Sequence, residues 1–499
     1  MAKSFRCNRK RYHTQIHRYE DSRDCVTIKH LLLRYNVIAS ATLGENRNRK
    51  GSRLPTCKVR AVVQPLDDCI TNYNYQLAIT NIMYLKTLHL RQFRNYFDQK
   101  VAFDAPKTIL VGNNAQGKSN LLEAVELLST LKSHRVGRDR DLILDSKPIG
   151  QIDATLERQT GPIDLALTLR SGGRRTLKLN GEPLRRHLDF LSVLNVVQFS
   201  CLDLDLVRGG PEGRRNWIDR LVIQLEPIYA HILQQYNQIL RQRNALLKRS
   251  KEIRKAEFSE SFDKMQFIGS ETPEDRNIAE SPSPKAQGPM PHSQCPIPSS
   301  ELALWDAQLA TAGARVIRRR DRILERLMPL ARNWHHSISG SAEVLDVKYE
   351  ANIEVGAELI AKDNLEGVRQ AFLEKIQKRA IAEQFQGTTL VGPHRDDITF
   401  TINSTPARQY ASQGQQRTLV LALKLAELQL IEEVVGEAPL LLLDDVLAEL
   451  DLSRQNQLLE TIQERFQTLI TTTHLGAFDT QWLRQTQILS VVAGQINRF

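Results

Sequence analysis

The eight residues Gly112-Asn113-Asn114-Ala115-Gln116-Gly117-Lys118-Ser119 constrain this chain more than any other stretch. They follow the β-forming run Thr108-Ile109-Leu110-Val111 and precede Leu121, Leu122, Ala124, Val125 and Leu128 at helical spacing. A strand, a glycine-bearing turn and a helix in that order make a phosphate cradle. Glycine lets backbone amides wrap an anion, and the helix N-terminus adds positive potential. Gly112, Asn113, Asn114, Ala115, Gln116, Gly117, Lys118, Ser119 and Asn120 are therefore the expected nucleotide-binding residues. Lys118 is expected to reach the β- and γ-phosphates of ATP and act in catalysis, and Ser119 to ligate Mg2+.

A partner for this turn lies 332 residues further on, where Leu440-Leu441-Leu442-Leu443 runs into Asp444-Asp445. An apolar strand ending in carboxylates suits a Walker B element, with Asp444 holding the metal and Asp445 placed as the general base that orients water. Between them, Ser412-Gln413-Gly414-Gln415-Gln416-Arg417 opens the helical run Thr418–Leu430 and resembles an ABC signature motif. Ser412, Gly414 and Gln415 would form a second helix N-terminus, aimed at the γ-phosphate of ATP held by another subunit. Ala448-Glu449-Leu450-Asp451 resembles a D-loop. His474, after Leu469-Ile470-Thr471-Thr472-Thr473, stands where such ATPases keep a phosphate-sensing histidine and is the third expected catalytic residue. Gln198 falls in a region suited to a Q-loop glutamine, and the sequence leaves that assignment open.

The rest of the chain supplies the frame. Residues 1–82 read as a basic leader, disordered or upstream of a start at Met83, with one brief apolar run. They hold 15 Lys/Arg against 6 Asp/Glu, so +9 of the net +11 sits there and the remainder is nearly balanced. Overall charge is thus no evidence of nucleic-acid binding by residues 83–499. From Met83 short alternating strands predict an N-terminal ATPase lobe over 83–210. Apolar residues at helical spacing over 211–250 and 301–335 predict two long helices within an arm at 211–387. Residues 251–300, with seven of the nineteen prolines, read as a flexible insertion at the tip. Strands return at Thr388–Val391 and Ile398–Ile402, opening a C-terminal lobe over 388–499 that carries the signature turn and the Walker B strand. The expected fold is α/β, an ABC-type P-loop ATPase head interrupted by an inserted α-helical arm. No apolar run approaches the length of a membrane span, and the six cysteines lack zinc or disulfide spacing, which suits a cytoplasmic protein without a membrane partner.

More specific strings resemble the RecF family. They are Tyr84-Leu85-Lys86-Thr87-Leu88-His89-Leu90-Arg91-Gln92-Phe93-Arg94-Asn95-Tyr96, Ser133-His134-Arg135, Gly210-Pro211 with Arg214-Arg215 and Asp219, Gln242-Arg243-Asn244-Ala245-Leu246-Leu247, and Val391-Gly392-Pro393-His394-Arg395-Asp396-Asp397. The resemblance covers about residues 83–250 and 301–499 and departs from the family at Ser200-Cys201-Leu202-Asp203, in the leader and in the insertion. It implies a slow, DNA-stimulated ATPase that forms a homodimer on ATP and binds single-stranded DNA and gapped or junction duplexes. It also implies work with RecR and RecO to load RecA in recombinational repair, replication restart and the SOS response. The competing reading is an SMC-like structural DNA-bridging ATPase, against which the short arm weighs; a transporter ATPase is disfavoured by the split head. Arg214/Arg215, Arg241/Arg243 and Arg318-Arg319-Arg320 could meet DNA phosphates, but a solvated helix face is the expected role of each.

Overall fold

The computed structural model describes residues 17–19, 39–47, 53–61, 83–268, 299–340, 343–353, 364–462, 465–476, 478 and 480–498. The chain divides into two units, Met1–Ile79 and Thr80–Phe499.

In the first unit, β1 (His17–Tyr19), β2 (Ala39–Arg47) and β3 (Arg53–Ala61) form an antiparallel sheet in the order β1-β3-β2. Of the two expectations for residues 1–82, these strands differ from a disordered leader and do not bear on a start at Met83. The sheet's register sets Leu43 opposite Cys57 and Ala41 opposite Val59. Such cross-strand pairing is invisible when each run is read alone for periodicity.

The second unit starts with β4 (Tyr84–Phe93), β5 (Tyr96–Ala102) and β6 (Lys107–Val111), then helix α1 (Lys118–Thr130). The strands β7 (Ile149–Arg158), β8 (Gly161–Arg170), β9 (Thr176–Leu179) and β10 (Glu182–Pro183) join β4 and β5 in an antiparallel sheet, order β10-β9-β8-β7-β4-β5. Asn180 and Gly181, both at positive φ, make the tight turn between β9 and β10. After β11 (Val196–Ser200) the chain enters the arm helices α2 (Pro211–Leu225), α3 (Ile228–Ile268) and α4 (Ser299–Ile338). It continues through β12 (Leu345–Glu350), α5 (Leu365–Gln386), β13 (Asp397–Ile402) and β14 (Thr405–Pro406), and the three strands make a small sheet. Then come α6 (Gln413–Val435), β15 (Leu440–Asp444), α7 (Leu452–Thr461), β16 (Thr468–Thr472), β17 (Gln487–Val492) and β18 (Gln495–Arg498).

The second large sheet has the order β11-β15-β16-β6-β17-β18, parallel except at β18. It is buried on both faces, which explains why its strands read as continuous apolar runs. Leu110, Leu440, Leu442 and Leu469 join the core shared with α1 and the antiparallel sheet. Their neighbours Ile109, Leu441, Leu443 and Ile470 face the opposite core, shared with the arm and α6. Because β6 and β15 are parallel to β16 between them, the turn after Val111 and the acids at 444–445 emerge at one edge, although 332 residues separate Gly112 from Asp444.

The arm departs from expectation in four places. Glu226-Pro227 divides the helix read over 211–250 into α2 and α3, since proline cannot continue the hydrogen-bond ladder. Helix α3 runs to Ile268, inside the segment read as insertion, because all seven prolines of that segment lie at 273 or beyond; residues 269–298 lie outside the described residues. Thr388–Val391 is not a strand. The amide of Thr389 donates to Asn244 Oδ1 and that of Leu390 to Glu383 Oε1, so arm side chains take the donors a ladder would need. Finally, Arg214, Arg243 and Arg320 do not form solvated faces; all three are buried. Arg214 pairs with Asp397 at 2.7 Å, Arg243 with Glu383 and Asp306 at 2.7 Å each, and Arg320 with Asp219 at 2.8 Å. Charge type was legible in the sequence, but the partner acids come from distant elements.

Candidate nucleotide site

The turn after β6 closes on itself through Lys118, whose Nζ donates to the carbonyl oxygens of Gly112 at 2.8 Å and Asn113 at 3.0 Å. That position holds a buried ammonium over the mouth of α1. Glycine is required twice. A Cβ on Gly112 would lie 2.3 Å from the Val491 carbonyl oxygen, and Gly117 has φ +116 with Asn95 Nδ2 2.6 Å from where a Cβ would stand.

Asn95 belongs to the β4–β5 hairpin, which clamps the turn from outside. Asn95 Nδ2 donates to the Gln116 carbonyl at 2.9 Å, and Tyr96 Oη donates to the Gly117 carbonyl at 2.8 Å. Arg94 forks onto Glu123 of α1 at 2.9 and 2.7 Å, and Asn120 Nδ2 donates to Asn95 Oδ1 at 2.9 Å. Local sequence patterns assign Arg94, Asn95 and Tyr96 no site role. Their signals were membership of the family-like string Tyr84–Tyr96 and position at a strand end, where side chains can reach a neighbouring turn.

At the adjacent strand end, Ser119 Oγ donates to Asp444 Oδ1 at 2.7 Å, and Thr471 Oγ1 donates to the same oxygen at 2.8 Å. The Asp445 amide donates to Thr471 Oγ1 at 2.9 Å. Thr471 thus holds both acids in place, a role not assigned from sequence. Asp445, just beyond β15, sits at φ 53, a left-handed conformation that Asp tolerates better than most residues. Burial raises its pKa above the usual carboxylate range, Lys118 opposes that rise, and Asp444 adds to it.

An open cavity of about 730 Å³ lies over the turn, lined among others by Asn114, Lys118, Ser119, Asn120 and Asp445. Ser412, Gly414, Gln415 and His474 do not line it. Ser412 caps α6 by accepting from the Gln415 amide at 3.2 Å while Gln415 Oε1 accepts from the Ser412 amide at 2.8 Å. Ser412 and Gln413 are exposed, and Gly414 is half-buried. His474 is exposed, its main chain tied to Thr472, two residues beyond β16. Gln198 lies in β11 beside Leu442 and lines a different, smaller cavity with Glu126, Asp203 and Lys424. The single chain therefore brings together the cradle, Asp444 and Asp445, and leaves the signature turn facing outward.

Comparison with known proteins places these features. The family model described as RecF/RecN/SMC N terminal domain matches residues 84–494. The DNA replication and repair protein RecF of Trichodesmium erythraeum is 69% identical over 418 residues, covering 84% of this chain and 99% of that protein. RecF of Nostoc punctiforme is 66% identical over 415 residues, covering 83% of this chain and 99% of its own length. Among solved structures, the recombination mediator protein RecF-ATPrS in the RecFOR pathway aligns with TM-score 0.70 at 29% identity, covering 84% of this chain and 99% of that one. RecF-ATP in the same pathway aligns with TM-score 0.68 at 29% identity, over 84% of this chain and 98% of that one. The chain belongs to the RecF family of DNA replication and repair proteins, with an ABC-type ATPase head interrupted by a helical arm.

Proposed function

We propose that this chain is an ATP-gated DNA clamp that dimerises around ATP on gapped or junction DNA, binds single-stranded DNA there, and works with RecR and RecO to load RecA. Slow, DNA-stimulated hydrolysis of ATP then reopens the dimer. The observation that carries this reading is the outward-facing signature turn. Ser412 and Gln413, at the start of the helix that Ser412 caps, are exposed and lie outside the cavity of their own cradle, as expected of a group that completes the site of a second copy.

Within one subunit Lys118 would release the Gly112 and Asn113 carbonyls and bond phosphate oxygens. Asn114 to Asn120 would supply amides and side-chain donors around the phosphates. The donor set fits Mg2+: Ser119 Oγ and Asp444 Oδ1 are hard oxygen donors 2.7 Å apart, and such a cation usually keeps water and substrate phosphate as its other ligands. Bound there, Mg2+ would neutralise charge on the β- and γ-phosphates. Asp445 would accept a proton from water and orient it towards the γ-phosphate, and His474, reaching in from the end of β16, would sense that phosphate. Contacts by both Lys118 and the opposing Ser412 would make the dimer depend on the γ-phosphate.

An SMC-like bridge would need a free-standing arm. Helix α3 has 41 residues, or roughly 60 Å at 1.5 Å per residue. Helix α4 is tied to α6, where Trp334 Nε1 donates to Gln429 Oε1 at 3.0 Å, so the switch reading is preferred. Light scattering with ATP and a gapped duplex tests it. A mass of two chains is expected with ATP and one chain without nucleotide; one chain under both conditions removes the clamp.

A further inference from the structure

A second cleft, about 460 Å³ and separate from the nucleotide cavity, opens between the loop that follows α1, helices α2 and α3, and the turn at His394. Its charges are unevenly matched. Arg320 is engaged by Asp219 through two bonds of 2.8 and 2.9 Å, and Arg220 shares Glu126 at 3.3 Å. Lys132 is exposed, and Arg215 donates only to a backbone oxygen, that of Asp396, at 2.7 Å. Among the described residues, no carboxylate lies within ion-pair distance of either. Burial first and the neighbouring Arg320 second hold the Arg215 guanidinium below its usual pKa, against the opposing pull of Asp396, Asp397 and Glu212. Asn216 and Asn237, both exposed, add amide donors to the same lining, and Glu212 is the exposed acid there.

We propose that this cleft binds a phosphodiester group of the DNA backbone, with Lys132 and Arg215 as the charged contacts and Asn216 and Asn237 as neutral donors. The chemistry fits: cations and amide side chains converging on an open polar cleft are the usual means of holding backbone phosphate without reading sequence. Position adds a consequence. Lys132 lies two residues beyond the end of α1, and Arg215 lies on α2 at the root of the arm, so one phosphate would bridge the nucleotide lobe to the arm. The inference rests on the reading that the chain binds DNA.

The test uses the full chain and a gapped duplex with ATP over a range of chloride concentrations, measured by fluorescence anisotropy. The double variant Lys132→Gln, Arg215→Gln removes both charges and keeps a polar side chain at each position. Affinity is expected to fall roughly tenfold or more. The slope of log affinity against log salt is expected to shrink by about 1 for each phosphate the variant no longer neutralises. Nucleotide binding should be unchanged. Glu212→Gln should act in the opposite sense and tighten DNA binding, so the idea stays testable if the double variant folds poorly. Unchanged affinity and slope in the double variant, or no tightening in Glu212→Gln, overturns the proposal. Direct titration with inorganic phosphate forms a second arm: a site that loses phosphate while DNA affinity stays at the wild-type value is a free-anion site, which also overturns it. Failure of the wild-type protein to bind DNA would instead count against the clamp.

Discussion

Lys118 supplies the clearest prediction at the scale of a single residue. Its ammonium already sits on two carbonyls of the turn, so Lys118→Ala removes both a preplaced cation and the two bonds that close the turn. Nucleotide affinity should drop roughly tenfold to a hundredfold, the range for a charged hydrogen bond, in a titration with a fluorescent ATP analogue. Asp445→Asn should keep affinity and slow hydrolysis by about a hundredfold or more, in single-turnover phosphate release. Wild-type hydrolysis in that variant would remove Asp445 from the mechanism. A third case concerns stability. His394 Nδ1 lies 2.6 Å from Tyr236 Oη and Nε2 lies 3.2 Å from the Thr389 carbonyl, and burial, the largest cause, together with nearby arginines lowers its pKa from 6.5 to about 4. The unfolded chain takes up a proton first, so this stabilisation is complete above pH 6.5 and is lost as pH falls towards 4. It amounts to something on the order of 3 kcal/mol. His394→Gln should flatten the fall in melting temperature over that pH window; an unchanged slope would show that other groups carry it.

Elements are joined here largely by buried charge. Arg243 of α3 reaches Glu383 of α5, Asp306 of α4 and Thr389 Oγ1, so one guanidinium ties three helices to the loop before the small sheet. Arg243→Met would leave Glu383, fully buried, without its cation. The cost should be about 3–5 kcal/mol in denaturant unfolding, the usual penalty of an uncompensated buried charge. A cost below about 1 kcal/mol, as for an exposed pair, would show that water reaches Glu383. At the start of α6, Ser412→Arg loses a cap and places a bulky cation on the face offered to a second copy. ATP binding by each chain should persist while the ATP-dependent dimer disappears in light scattering. Helix α3 and the signature helix were both legible as periodic runs, whereas the ends of α3 and the irregular 388–391 segment were not. Those ends depend on where the first proline falls and on which side chains take the backbone donors.

On the scale of the whole molecule, the nucleotide machinery lies in the unit that begins at Thr80, and the family match begins at 84. Removing residues 1–82 should leave ATP hydrolysis and the preference for gapped over blunt duplex intact, as compared by phosphate release and anisotropy. General affinity for DNA should fall at low salt, since that segment holds +9 of the net +11 charge. If truncation abolished ATP-dependent discrimination, the segment would be part of the DNA site.

What the sequence determined alone is local: a strand, turn and helix that can cradle phosphate, an acid-ended apolar strand, and a capped helix carrying Ser412. Each is a property of a few consecutive residues, and backbone geometry with periodicity is enough to read it. Tertiary structure decided which of them meet. Parallel strands placed Asp444 against Ser119, and Thr471 held the acid between them. The same packing turned Ser412 away from its own cradle and converted Arg214, Arg243 and Arg320 from apparent surface charge into buried ties. The cost of burying a charge depends on a partner from another element, and no local pattern records where that partner will be.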